Sequence, residues 1–471
     1  MKEFDVIVIG AGPGGYVGAI RAAQLGLNTA CIDAFVGPDG KPRLGGTCLN
    51  VGCIPSKALL DSSHHYHNLE ALLPAHGITV KGAAIDVPAM LARKDNVVQQ
   101  LTRGINGLFR KNKITAFAGT ASFRDAHTVA VDLHDGGQEE LRAKHIIVAT
   151  GSRPVAIDAA AVDGDRIVDN VGALSFSEVP QRLGVIGAGV IGLELGSVWK
   201  RLGAEVVILE AMDEFLPPVD RNIARDALKV FNRQGLDIRL GCKLTQAKAS
   251  KKCVKLGYED TSGTQSLEVD RLVVAVGRRA NTERLAAQAA GLTLDDRGRI
   301  KVDGQCRTGV EGIWAVGDCV HGPMLAHKAS EEGVAVAEMI AGHAAHIDHA
   351  LVPWVIYTHP EIAWVGKSEH ELDAEGTAFR AGSFPFAASG RALGAGDSTG
   401  SVKILADASS DRILGVHIFG PQASELIAEA VTAMAFHGSA EDLARTVHAH
   451  PTLAEAIHEA ALAVDGRAIH I

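Results

Sequence analysis

The sequence predicts an α/β protein with two similar parallel-sheet domains and a separate α+β domain at its C-terminus. Three observations carry that expectation. An apolar strand runs into a Gly-x-Gly-x-x-Gly turn and a helical stretch twice, from Val6 to Leu25 and again from Leu183 to Leu202. Further apolar strands end in glycine, at Ala149-Thr150-Gly151 and at Val276-Gly277. Neither pattern recurs beyond residue 351, where strand-like stretches at 401–405 and 413–418 precede an Ala-rich helical stretch, Ser424 to Phe436. Strand and helix in alternation build parallel sheets, because parallel neighbours need a crossover and a helix supplies it.

The first copy begins with the strand Phe4 to Ile9, turns through Gly10, Gly12 and Gly15, and continues as the helix Tyr16 to Leu25. The next strand, Thr29 to Ile32, delivers Asp33. The second copy repeats this with Gly187, Gly189 and Gly192, and its following strand, Val206 to Leu209, delivers Glu210. Both acids lie about 20 residues beyond their glycines, the spacing of a Rossmann-like dinucleotide fingerprint. The first glycine allows the tight turn, the second lets backbone approach a pyrophosphate, and the third lets helix pack on strand. The helix N-terminus favours the phosphate charge, and the acid accepts ribose hydroxyls. One such run is also what a generic turn looks like. Two in matching strand–turn–helix settings predict two dinucleotide sites.

A further strand, Ile313 to Val316, leads to Gly317-Asp318 and places an acid at a strand end. Each glycine stop taken singly is only the end of a strand, although strand ends are where open α/β sheets bind ligands. The expected division is 1–149 and 150–279 for the two dinucleotide domains, 280–350 for a central segment completing the first site, and 351–471 for the last domain.

Composition narrows the class. A chain of 471 residues suggests about three domains. A formal charge of −9 argues against a nucleic-acid footprint. No run of apolar residues is long enough for a membrane span. The chain enters its first strand almost at once, without a basic leader, so no signal peptide is expected. Seven cysteines, an odd number in a long chain, fit a reducing compartment and hence the cytoplasm. Cys31, Cys242, Cys253, Cys306 and Cys319 read as ordinary core or surface residues. The histidine groups His64, His65, His67 and His343, His346, His349 lack accompanying cysteines, and no metal site is expected.

Gly45 to Lys57 carries the redox signal. Cys48 and Cys53 have four residues between them. Residues five apart in an ideal helix have Cα atoms roughly 8–9 Å apart, whereas a disulfide needs about 4.4–6.8 Å. Pairing them therefore requires a bent or broken turn, which Gly52 and Pro55 can supply. A strained disulfide is the more reducible kind, suited to a working redox centre.

Together these motifs resemble the flavoprotein disulfide reductases of the pyridine nucleotide-disulfide oxidoreductase family, in the class with the redox pair in the FAD domain. The resemblance covers essentially the whole chain. Cys53-Ile54-Pro55-Ser56-Lys57, the run Thr358 to Gly366 and the run His448 to Glu455 liken it to the members that oxidise dihydrolipoamide. The resemblance implies that Gly10, Gly12, Gly15 and Asp33 hold FAD, with Gly119 near the adenine, Asp318 on the ribityl chain, Ala326 close to the flavin, and Thr150 and Gly151 among the other FAD contacts. Asp33 is a shorter variant of the family's usual Glu. Lys57 is implied beside the flavin, paired with Glu194. Gly187, Gly189, Gly192, Glu210 and Gly277 are implied to hold NAD. A carboxylate at Glu210 accepts a free 2′-hydroxyl and repels a 2′-phosphate, and Ala211 and Met212 supply no Arg clamp, so NAD is expected over NADP.

The implied chemistry needs a base, because only a thiolate attacks a disulfide quickly. His450, oriented by Glu455, is the candidate, since imidazole titrates near neutrality. With 20 histidines in the chain, a structural role is the alternative for any one of them, and the His-Pro-Thr-x-x-Glu context singles this one out. Cys48 is implied as the sulfur attacked by substrate and Cys53 as the sulfur facing the flavin. In the family this histidine comes from the neighbouring subunit, which implies a homodimer, and a cis bond is implied at His450-Pro451. The expected partner is a lipoyl group on another protein, either the transacylase of a 2-oxoacid dehydrogenase complex or the glycine cleavage carrier, with no lipoyl domain fused to this chain. A glutathione- or mercuric-reductase-like enzyme and a non-catalytic flavoprotein partner are the alternatives. Glu210 opposes the NADPH-dependent kind. The cysteine-free tail opposes the mercuric kind, and retention of Cys48, Cys53, His450 and Glu455 opposes the last.

Overall fold

The computed structural model describes residues Met1–Ile471. They form two compact units. The first comprises Met1–Ala58, Leu91–Val155 and Val276–His349. Its sheet is centred on Lys2–Ile9, which pairs in parallel with Thr29–Asp33 on one side and Gln138–Val148 on the other. Thr115–Phe123 and Ile313–Ala315 extend it, again in parallel. Val6 to Val8 are fully buried, as the uninterrupted apolar run requires of a strand covered on both faces. The fingerprint helix Pro13–Gln24 lies against the helix Ala326–Ile340, and glycines permit the approach. A Cβ on Gly333 would come within 2.3 Å of the Gly14 carbonyl oxygen. Two short strands, Ser152–Pro154 and Arg278–Ala280, pair antiparallel and also belong to this unit, although the sequence suggested 150–279 as one domain.

The second unit comprises Leu59–Met90, Ala156–Ala275 and Ala350–Ile471. It contains a parallel five-stranded sheet in the order Leu236–Arg239, Glu205–Leu209, Arg182–Ile186, Arg271–Val274, Ile167–Val168. An antiparallel three-stranded meander spans Lys243 to Val269. The C-terminal part of the unit is an antiparallel five-stranded sheet from Trp354 to Gly420, with Ala423–Ala435 and Glu455–Val464 packed on it. Gly382 lets the second of these helices seat closely, since a Cβ there would meet the Ala460 carbonyl oxygen at 2.2 Å. Lys403 of this sheet forms a buried ion pair with Asp220, the N-cap of helix Arg221–Arg233, at 2.9 Å. No helix is long and apolar enough to cross a membrane.

Candidate active site

The redox segment is laid on the first glycine turn. Gly45 donates its N–H to the Ala11 carbonyl at 2.9 Å, and Gly46 approaches so closely that a Cβ on it would lie 2.6 Å from the Gly12 Cα. Buried Asn50 pins the loop by donating to the carbonyls of Leu44 and Gly46. A short helix, Gly46–Val51, carries Cys48, and a second, Cys53–Ala71, begins with Cys53. The break between them falls at Gly52 and not at Pro55. A Cβ on Gly52 would lie 2.9 Å from the Thr47 carbonyl oxygen and 3.3 Å from the Cys48 Cα, so the chain folds back tightly on the turn that carries Cys48. Pro55 sits in the first turn of the second helix, where a missing N–H breaks no helical bond. The two cysteines lie side by side, with a side-chain hydrogen bond between them. That contact, with burial, pushes the Cys48 thiol far above its ordinary range, and the Lys57 ammonium one turn into the second helix acts in the opposite sense.

The first fingerprint has the geometry of a phosphate cradle. Gly10 has φ +103 and no room for a side chain, because a Cβ would meet the Ala149 carbonyl oxygen at 2.2 Å. A Cβ on Gly15 would meet the Gly10 carbonyl oxygen at 1.8 Å, whereas above Gly12 only the Gly46 Cα lies within 4 Å. The helix N-terminus at Gly12 has no side-chain cap. Its open N–H groups and the space over Gly12 fit a dinucleotide pyrophosphate. Asp33 accepts the N–H groups of Ala11 at 3.1 Å and Phe35 at 3.0 Å, so the short acid does reach the fingerprint loop. Burial raises its pKa to about 6 against those hydrogen bonds. Gly119 lies against the neighbouring strand, where a Cβ would be 2.4 Å from the Asp132 carbonyl oxygen. Thr150 and Gly151, the latter with φ +70, follow the strand Gln138–Val148. Asp318 sits in the 3-10 turn Gly317–Cys319, and Ala326 opens an uncapped helix. The Asp318 carboxylate accepts the Ser152 hydroxyl, whose oxygen accepts Arg278 Nε at 2.7 Å. Motif reading missed Ser152, Arg278 and Asn50. The signal for the first two was their place directly after the glycine stops Gly151 and Gly277.

The second fingerprint repeats the construction. A Cβ on Gly192 would lie 2.0 Å from the Gly187 carbonyl oxygen, and nothing lies within 4 Å of one on Gly189. The helix Val190–Arg201 starts at Gly189 without a side-chain cap. Glu210 bridges the loops, accepting Ala188 N–H at 2.8 Å and Met212 N–H at 3.0 Å. Beside it lies a cavity of about 200 Å³ walled by Gly189, Glu210, Glu214, Pro217 and Trp354, with no Lys or Arg in its lining. Trp354 stacks on Trp364 with ring centroids 5.4 Å apart. An acidic, apolar recess without a cation fits a ribose with a free hydroxyl and not one bearing phosphate. Glu194 is buried on the fingerprint helix and accepts the Tyr357 N–H at 3.0 Å. Gly277, with φ +111, belongs to the first unit, and its carbonyl accepts Val155 N–H.

The candidate base is built at the start of helix Glu455–Val464. His450 Nδ1 is 2.8 Å from Glu455 Oε1, and Glu455 Oε2 accepts Thr452 N–H at 2.8 Å. Burial works against the ionised Glu455, but the Thr452 N–H and His450 outweigh it and hold the carboxyl below its usual range. An ionised acceptor keeps the proton on Nδ1 and leaves Nε2 with the lone pair. The His450 side chain is 80% exposed. The His450-Pro451 peptide is cis, as is His359-Pro360. Of the two histidine groups, His349 contacts Glu332 and the His64 ring lies tilted against that of His359.

The chain is similar to known proteins along its whole length. Residues 4–333 match the family model of the pyridine nucleotide-disulphide oxidoreductases, and residues 352–461 match the dimerisation domain of the same family. The chain is 55% identical to a dihydrolipoyl dehydrogenase of Cupriavidus necator, with 100% of both chains covered. It is 49% identical to the mitochondrial dihydrolipoyl dehydrogenase 1 of Arabidopsis thaliana, covering 100% of this chain and 92% of that one. Among solved structures, LpdA of Mycobacterium tuberculosis superposes with a TM-score of 0.89 at 26% identity, covering 98% of this chain and 99% of that one.

Proposed function

The chain belongs to the pyridine nucleotide-disulphide oxidoreductase family, and from that premise we propose that it oxidises protein-bound dihydrolipoamide to lipoamide and reduces NAD⁺. The observation that carries this reading is the pair of thiols brought into contact across the Gly52 break, in a chain that also holds an oriented imidazole at His450.

His450 Nε2 takes the proton from one substrate thiol. The resulting thiolate attacks Sγ of Cys48 in the oxidised pair, the Cys48–Cys53 bond breaks, and Cys53 leaves as thiolate. The second substrate thiol passes its proton to the Cys53 thiolate, attacks the substrate sulfur of the mixed disulfide, expels Cys48, and closes the lipoyl ring. The proton held by His450 goes to the departing Cys48 sulfur. Two electrons have moved from substrate to protein, and the cysteines are left as the dithiol. Glu455 stabilises the imidazolium that forms between the two steps. Gly10, Gly12, Gly15, Asp33, Gly119, Thr150, Gly151, Asp318 and Ala326 would hold FAD, and Lys57 with Glu194 would flank the flavin. Gly187, Gly189, Gly192, Glu210 and Gly277 would hold NAD. Bound FAD supplies the two-electron relay between dithiol and nicotinamide that no side chain can provide.

The active unit is a homodimer in which His450 serves the cysteines of the partner subunit. The exposure of His450 supports this, as do Val447 at 95% and Phe436 at 83% exposed on the same domain. The lipoyl group arrives on another protein, a 2-oxoacid dehydrogenase transacylase or the glycine cleavage carrier. Lipoamide-dependent NAD⁺ reduction by the purified holoprotein tests the reading. Cys48→Ser is expected to abolish it, and an unchanged rate in that variant would sink the mechanism.

A further inference from the structure

We propose that Lys328 and Glu332 are positioning residues for the FAD site, acting on Asp318 through the backbone of Gly317. The inference rests on the reading that Asp318 holds the cofactor. The two side chains lie one turn apart on helix Ala326–Ile340, 2.8 Å from each other and each only 1% exposed. Stability alone does not call for such a pair, because well-packed apolar residues of similar size commonly serve as well or better. Both charged groups reach the same residue. Glu332 Oε2 accepts the Gly317 N–H at 2.7 Å, and Lys328 Nζ donates to the Gly317 carbonyl at 3.4 Å. Gly317 has φ +76, and a Cβ there would lie 3.0 Å from the Cβ of Ala329, so it is pressed against this helix as well.

Asp318 is the next residue along the chain. Its carboxylate is held from the other side by Ser152, itself held by Arg278. The acid is thus gripped twice, through its side chain by the paired strands Ser152–Pro154 and Arg278–Ala280 and through the backbone of its neighbour Gly317 by the helix. His349 Nε2 lies 3.0 Å from Glu332 Oε1 and closes the network at its outer end. That contact gives the third histidine of the His343, His346, His349 series a local role that needs no metal.

The test compares two double variants of the holoenzyme, Lys328→Met/Glu332→Leu and Lys328→Met/Glu332→Gln. Both remove the ion pair without leaving a lone buried charge, but only the second keeps an acceptor for the Gly317 N–H. The readouts are the rate of FAD release in dilute guanidinium and the visible flavin band. The Leu double variant is expected to release FAD about tenfold faster, the size of one lost buried hydrogen bond, with the Gln double variant within about threefold of the parent. Equal release rates in the two would overturn the proposal. If the Leu variant does not fold, Glu332→Asp takes its place, because it keeps the charge pair but draws the acceptor away from Gly317, and unchanged FAD release there also overturns it. Asp318→Asn separates the two layers of the argument. If that variant retains FAD like the parent, the reading of the FAD site itself fails. If it loses FAD while the Lys328 and Glu332 variants do not, only the present inference fails.

Discussion

Glu210 shows how much one carboxylate can decide. It closes the second fingerprint by accepting two backbone N–H groups, and it stands at the edge of a recess without a cation. Glu210→Ala removes an acceptor for the ribose and leaves the part-buried Ala188 N–H unpaired, at a cost of about 1–3 kcal/mol. The KM for NAD⁺ is expected to rise by about 10- to 100-fold, with little change in the rate of flavin reduction by dihydrolipoamide. Steady-state kinetics and stopped-flow reduction of the same variant check the two halves. Its place beside the second glycine turn was legible in the sequence because the fingerprint fixes where the acid must stand. The Arg278–Ser152–Asp318 relay was not legible in that way. Its members lie 126 and 166 residues apart, and no local spacing rule connects them. Lys328 and Glu332 are a helical i,i+4 pair, a pattern that reads from sequence as a solvated face, and only burial shows otherwise.

The two fingerprint turns are the same device placed on different sheets, so matching substitutions should separate their roles. Gly15→Ala drives a Cβ to 1.8 Å from the Gly10 carbonyl oxygen, and Gly192→Ala drives one to 2.0 Å from the Gly187 carbonyl oxygen. Overpacking of this kind costs about 1–3 kcal/mol or more and opens the turn. Gly15→Ala is expected to purify without flavin colour. Gly192→Ala should stay yellow and be reduced by dihydrolipoamide yet fail to turn over with NAD⁺. Absorbance at purification and anaerobic reduction distinguish them, and a colourless Gly192→Ala protein would contradict the assignment of the two turns. The redox element shows where reading by pattern stops. Cysteine spacing required a broken helix and offered two residues for the break. Tertiary contact chose between them, because Gly52 has to pass against Thr47 and Cys48 while Pro55 fits a first helical turn without distortion.

At the scale of the whole molecule, acid stability has an identifiable source. The rings of His64 and His359 meet at a tilt, with centroids 4.2 Å apart. Burial holds His64 down to about 3 and His359 to about 4, and Arg201 and His67 add repulsion while Asp397 lies 3.3 Å from His359 Nε2. Unfolded, both imidazoles would take protons near pH 6.5. Their contribution to stability is therefore whole above that pH and is lost as the pH falls through about 4 toward about 3. Urea midpoints followed across this window are expected to fall steeply for the parent and less steeply for His64→Asn/His359→Asn. The dimer is the remaining whole-molecule feature. The central claim is that Cys48 and Cys53 on one chain work with His450 of its partner. Subunits carrying Cys48→Ser and subunits carrying His450→Ala, each inactive as homodimers, can be co-expressed and the mixed dimers assayed for lipoamide-dependent NAD⁺ reduction. A shared site across a two-fold interface leaves one intact centre in each mixed dimer, so random assortment should restore about a quarter of the parent activity. Mixed dimers that form but remain inactive would contradict the account.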